Sequence, residues 1–203
     1  MTTLNPPAPA AVTGLPEFAA LLDGCHEEAT PGALVVSRGG HTVASALRLR
    51  TGVPVPGSSG TLAVTSGGPP SAGRELVAFA DRLVRLHRAA VHAVLDQAVT
   101  RLGERTSEGT SLLNRQLVQG SVADVALALS ETQDLLALPS LTAAGLRRAH
   151  ADLVRAGRTV LKLYGAHSLT SEGPGPVLYV AELLGNTYLH LGSEWGDTGD
   201  GSS

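Results

Sequence analysis

Apolar residues at Leu76, Phe79, Leu83, Leu86, Ala90, Val94, Ala98 and Leu102 recur with a period near 3.6. No strand can satisfy that spacing, and a helix of about 30 residues satisfies it throughout. So long a helix is stable in water only where neighbours cover it, because helix propensity alone contributes little. Val77, Val84, Val91, Ala93, Leu95 and Val99 widen its apolar face beyond one inner stripe. The excess is expected to meet another subunit, as exposed patches of that size are uncommon on monomers.

Three further helical patterns follow, separated by breaker clusters. Gly103 and "ERTSEGT" end the long helix, and a second is predicted from Ser111 to Ala137, with Leu113, Leu117, Val125 and Leu129 inward. "LPSLTAAG" forms a tight link in which Pro139 stops one helix and Ser140 caps the next. The third helix runs to Tyr164 through Leu146, Ala149, Leu153, Val154, Val160 and Leu161. The loop "AHSLTSEGPG" leads to a fourth, Pro176 to Leu191, opened by its proline. Residues 71–193 therefore read as an antiparallel four-helix bundle, and the chain as mainly α.

The residues before Ser71 differ in kind. Residues 1–14 are Pro- and Ala-rich with little to bury, which predicts disorder or a draped segment. In residues 15–70, "LPEFAALLDG" predicts a short helix on Phe18, Leu21 and Leu22 that stops at Gly24. "ALVVS", "HTVASALRLR" and "GTLAVTS" then have the β-branched character of three short strands. Residues 194–203 predict a flexible polar tail with Trp195 as its one anchor.

Charge and cysteine usage narrow the function classes. Eighteen acidic against 15 basic residues leave a net charge of -3, which offers no footprint for nucleic acid or an anionic membrane. The longest apolar runs fall short of a bilayer span, and the amino terminus has no export pattern, so a cytoplasmic protein is expected. The single cysteine, Cys25, rules out an intramolecular disulfide and is read as inert. His87 and His92 stand five apart, off the i, i+4 spacing of a helical metal pair, and His150 and His167 add no ligand spacing, so no metal is expected. Arg82, Arg85 and Arg88 form a basic strip that is either a solvated face or a groove for an anionic group.

The stretch "LGERTSEGTSLLNRQLVQGSVAD" carries Arg105, Gly109 four residues on and Gln116 seven residues after that, then Val122, Ala123 and Asp124. "LKLYGAHSLTSEGPGPV" places Tyr164, Gly165 and Thr170 ahead of Pro174 or Pro176-Val177. In order and separation these segments resemble the carboxy-terminal helical domain of the acyl-CoA dehydrogenase family. The resemblance implies a dimer or tetramer with FAD across a subunit interface and an acyl thioester against its ring. It implies that Arg105 meets the pyrophosphate, with Gly109, Gln116, Lys162 and Gly165 as further cofactor-binding positions.

Departures from the pattern bear on chemistry. Glu108 stands where the family has Phe, Lys162 where it has Gln, and Ala166 where it has a second Gly. The family's catalytic carboxylate falls on Leu191 or, with Pro174 aligned, on Leu189, and a leucine cannot take a proton. Glu194 is the displaced candidate, with Glu75, Asp81 and Asp96 on the long helix as others. The family's helical first domain has no counterpart, and residues 15–70 could be a remnant of its β domain. The implied function is a subunit that lends part of a flavin and acyl-thioester site within a homo-oligomer or to a related partner subunit, catalytically incomplete alone. The alternatives are a flavin-free enzyme of specialised metabolism using a pocket in the bundle, and a non-catalytic structural or binding module.

Overall fold

The computed structural model describes residues 12, 14–139, 141–170 and 172–189. Among them α1 (Leu15–Ala29) is followed by β1 (His41–Ser45), β2 (Val53–Pro54), β3 (Leu62–Ser66) and α2 (Gly73–Glu104). Then come β4 (Thr106–Ser107), β5 (Thr110–Ser111), α3 (Gln116–Leu136), α4 (Ala143–Tyr164) and α5 (Gly175–Leu189). The fold is mainly helical with a small sheet, and no described helix is long and apolar enough to cross a membrane.

α2 is the axis on which the other helices are mounted. His87 meets His150 of α4, and Tyr164 at the end of α4 bonds Val94 of α2, so these helices run in the same direction. Phe79 stacks near Tyr188 of α5, while Arg85 and Arg88 reach the Leu136 and Leu129 carbonyls of α3. α3 and α5 therefore run opposite to α2 and α4. The ends of α2 and α4 share one end of the molecule with the starts of α3 and α5.

The wide apolar face of α2 is covered in large part within the chain: α1 lies on its Phe79 and Arg82 side, with His26 stacked on Phe79 at 4.4 Å and Glu28 paired to Arg82 at 2.8 Å, and Val84, Val91 and Leu95 of the widening set are buried as well. α1 buries Leu15, Phe18, Ala19, Leu22 and His26, and it continues five residues past Gly24. A helical glycine costs at most about 1 kcal/mol, which the burial of Leu22 and His26 on either side outweighs.

The three-stranded sheet is antiparallel in the order β1-β3-β2, with Val43 and Val53 both opposite Val64. Residues 34–37 are not one of its strands, contrary to the expectation for "ALVVS". They form an extended segment whose backbone groups are claimed elsewhere: Val35 N–H donates to His26 Nδ1 and Val36 N–H to Ser71 Oγ. The free edge of β1 is capped by side chains, with Val43 N–H donating to Tyr188 Oη at 2.9 Å and Ser45 N–H to Asp23 Oδ1 at 3.0 Å. An edge so covered offers little to another strand.

α3 begins at Gln116, five residues later than expected. Ser111, expected as its start, caps a single 3-10 turn over Leu112–Asn114, accepting from Leu113 N–H. Leu117, expected inward, is 88% exposed. α4 is capped by Thr142, whose Oγ1 accepts from Gly145 N–H, and the expected cap Ser140 lies outside the described residues. Of residues 1–14 only Val12 and Gly14 are described, and Val12 is buried. Leu191, Glu194 and Trp195 lie outside the described residues, with the whole expected tail.

Candidate functional site

The resemblance-bearing residues gather at the end where α2 and α4 finish. After Glu104 the chain makes a hairpin, β4 and β5, closed by Glu108 and Gly109 at φ +55° and +78°. Positive φ at both central residues is the geometry of a tight two-residue hairpin turn, for which Gly109 is well suited. Arg105 caps α2 in extended conformation, its carbonyl accepting from Leu112 N–H at 2.8 Å, and is exposed. Gln116 is the exposed first residue of α3. The Glu108 carboxylate, the residue that most opposes an anion here, is paired with Arg115 at 3.1 Å, so its charge is offset locally.

Across the same end, α4 stops at Gly165, whose φ of +61° and ψ of -144° suit a residue without Cβ. Gly165 N–H bonds back to the Lys162 carbonyl, and the Lys162 side chain is exposed in the last turn. The chain then folds over the end of α2 and encloses a polar cleft of about 180 Å³. Gln97, Arg101, Tyr164, His167 and Glu172 line it. Tyr164 Oη lies 3.2 Å from the Val94 carbonyl and 3.4 Å from Gln97 Oε1, and burial raises its pKa, with Arg101 working the other way. The His167 ring stacks on Tyr164. Arg101 Nε is buried with no hydrogen-bond partner among the described residues. A guanidinium with an unused donor in a polar cleft is suited to phosphate or carboxylate oxygens. Arg105 follows one helical turn beyond Arg101.

The acid candidates sit elsewhere. Leu189 is buried in the core at the end of α5. Glu75 accepts from Ala72 N–H at the start of α2, the opposite end of the molecule. Asp81 holds Arg85 and Asp96 holds His92, each one turn along α2. Glu172 is the one carboxylate among the residues lining the cleft. Cys25 has its thiol pushed up to about 12, first by burial and then by Glu28, so it is not a nucleophile at neutral pH.

The arginines of the basic strip are tied to neighbouring elements while part of each of Arg82 and Arg85 stays exposed. Arg82 ties α2 to Glu28 of α1, Arg85 donates to the Leu136 carbonyl at 2.6 Å, and Arg88 to the Leu129 carbonyl at 3.2 Å. The structure also joins two histidines that sequence spacing left apart. His87 Nδ1 and His150 Nδ1 are 3.2 Å apart, and both rings are buried. Their signal was positional: His87 falls between Leu83 and Val91, and His150 between Leu146 and Leu153, at core spacing on both helices.

Comparison with known proteins returns no family model that matches the chain and no curated protein that matches it.

Proposed function

We propose that the chain is an acyl-CoA dehydrogenase-like subunit whose α2–α5 make an antiparallel four-helix bundle and whose cleft end supplies one wall of a flavin and acyl-thioester site. The observation that carries this reading is that the Arg105, Gly109 and Gln116 segment stands at the same end of the bundle as the cleft, which it does not itself line and in which Arg101 Nε has no partner among the described residues. About 180 Å³ is below the roughly 300 Å³ at which sites for drug-sized ligands begin, so in this reading the cleft takes the phosphate part of FAD and not its ring system. Leu117 and Leu169, 88% and 87% exposed, lie on the same end and offer apolar surface to a second chain that would complete the site.

In this reading Arg101 and Arg105 hold phosphate oxygens, Gly109 admits close backbone approach, and Gln116, Lys162 and Gly165 border the group. Bound FAD would supply a hydride acceptor. In this reading the second chain removes the substrate proton: Leu189 is apolar and buried, Glu75, Asp81 and Asp96 are engaged elsewhere on α2, Glu194 lies outside the described residues, and Glu172, which lines the phosphate cleft, is the acid of this chain to test against it.

The test is FAD titration of the protein purified with its native partners, read by absorbance from 300 to 500 nm. Arg105→Ala should weaken binding at least tenfold, as expected for loss of a charged donor to an anion. Arg148→Ala is the control, because Arg148 is 82% exposed and lies 3.9 Å from Asp152. Equal effects of the two substitutions would remove Arg105 from the site. The chain alone should show no dehydrogenase turnover with short, medium or long acyl thioesters, and flavin reduction by any of them would overturn the incompleteness.

A further inference from the structure

A second cleft, of about 200 Å³, opens at the seam of α2, α4 and α5, and shares no lining residue with the polar cleft around Arg101. His87 lines it and is only 2% exposed. One imidazole nitrogen, Nδ1, is engaged with His150, where the pair requires one donor and one acceptor. For the other, Nε2, no hydrogen bond is found among the described residues, and it is not one of their fully buried orphan atoms, so it is left to whatever enters the cleft. A ring nitrogen so placed can donate to or accept from a polar atom of an occupant.

The surroundings fix the ring and define what can meet it. Gly185 of α5 lies against His150 so closely that a Cβ there would fall 2.0 Å from Cε1 of the imidazole. The α5 backbone therefore backs His150, and His150 in turn holds His87. Val154, Leu161, Leu178 and the backbone of Gly157 make apolar walls. At the rim Arg158 and Glu182 are paired at 2.6 Å, so a charged molecule would have to break that pair to enter. Burial first, and His150 second, hold His87 down to about 3, so its ring is neutral at physiological pH. A dry cavity of about 150 Å³ accepts benzene in another protein, which sets the scale here at roughly eight to ten non-hydrogen atoms.

We propose that this cleft binds a small neutral molecule, apolar except for one alcohol or carbonyl oxygen, which hydrogen-bonds Nε2 of His87. An alcohol serves either tautomer because its hydroxyl both donates and accepts, whereas a ketone requires the proton on Nε2. The site is separate from the flavin reading and stands or falls independently of it.

Benzyl alcohol, toluene and benzoate are the probes, titrated into the full chain labelled with nitrogen-15 and followed by long-range imidazole proton–nitrogen correlations. Benzyl alcohol should saturate, shift the His87 Nε2 resonance and bind at least fivefold tighter than toluene, while benzoate leaves that resonance unmoved. Leu161→Trp, which adds bulk to the cleft wall and leaves both imidazoles in the chain, should weaken benzyl alcohol binding at least tenfold and keep the His87–His150 signals. No saturable shift, equal affinity for benzyl alcohol and toluene, preference for benzoate, or undiminished binding in Leu161→Trp would each overturn the proposal. The wild-type probe series decides the matter even if the variant does not fold.

Discussion

His26 uses both ring nitrogens at once: Nδ1 accepts from Val35 N–H at 3.0 Å, and Nε2 donates to the Val43 carbonyl at 2.8 Å. That pairing specifies a neutral tautomer, because a proton on Nδ1 would face another N–H. Burial accordingly pushes its pKa down to about 4 from 6.5, and His87 down to about 3 for the same leading reason. The sign follows from linkage. The unfolded chain takes up protons at these histidines below pH 6.5 while the folded chain resists, so their contribution is full above pH 6.5 and is lost toward pH 4 and 3. His26 should remove about 2 kcal/mol of stability between pH 7 and 5, and His87 a comparable amount. Urea unfolding at the two pH values measures this. A His26→Gln variant should lower stability at pH 7 and show a shallower loss toward pH 5, and an unchanged slope would show that His26 does not couple folding to protons.

α2 shows how an element is held by more than its apolar stripe. Arg85 pairs with Asp81 one turn back and donates to the Leu136 carbonyl, one of the last in α3. Helix ends leave carbonyls without intrahelical partners, and a cation there also complements the helix dipole. Arg85→Ala should therefore cost about 1 kcal/mol, a modest figure because the side chain is 45% exposed. The same change should speed amide exchange in the last turn of α3. Arg148→Ala is the comparison: it is 82% exposed and its partner Asp152 lies on the same helix, so α3 should be unaffected. Equal exchange in both variants would mean that Arg85 does not secure α3.

For the whole molecule, the question is which surface remains for another subunit once most of the wide apolar face of α2 is buried within the chain. Leu117, Leu127 and Leu138, along α3 and just past its end, are 88%, 59% and 52% exposed, and Leu169 is 87% exposed. The assembly proposed above should therefore use α3 and the cleft end rather than α2 and α5. Sedimentation of the full chain at micromolar concentration should show an assembly heavier than 20.7 kDa, with native partner present if the chain does not self-associate. Leu117→Asp with Leu169→Asp should shift it to the single-chain mass. Retention of the heavier species by that double variant would place the interface elsewhere.

Local pattern alone carried the existence of the helices at Leu76–Leu102, through Val125 and Leu129, at Leu146–Tyr164 and from Pro176, because a period of 3.6 and a breaker residue are short-range facts. It also carried a small β segment ahead of them, whereas Arg105, Gly109 and Gln116 came forward only through the resemblance of their segment to a known family. What each apolar face packs against was decided only by tertiary structure. Periodicity reports that Phe79 and Leu86 are buried, and nothing in it distinguishes α1 from a second subunit as the cover. The claiming of residues 34–37 by His26 and Ser71 likewise rests on partners up to 35 residues apart, and the meeting of His87 with His150 on partners 63 apart. At those separations no local signal exists, because contact depends on how the helices are laid side by side.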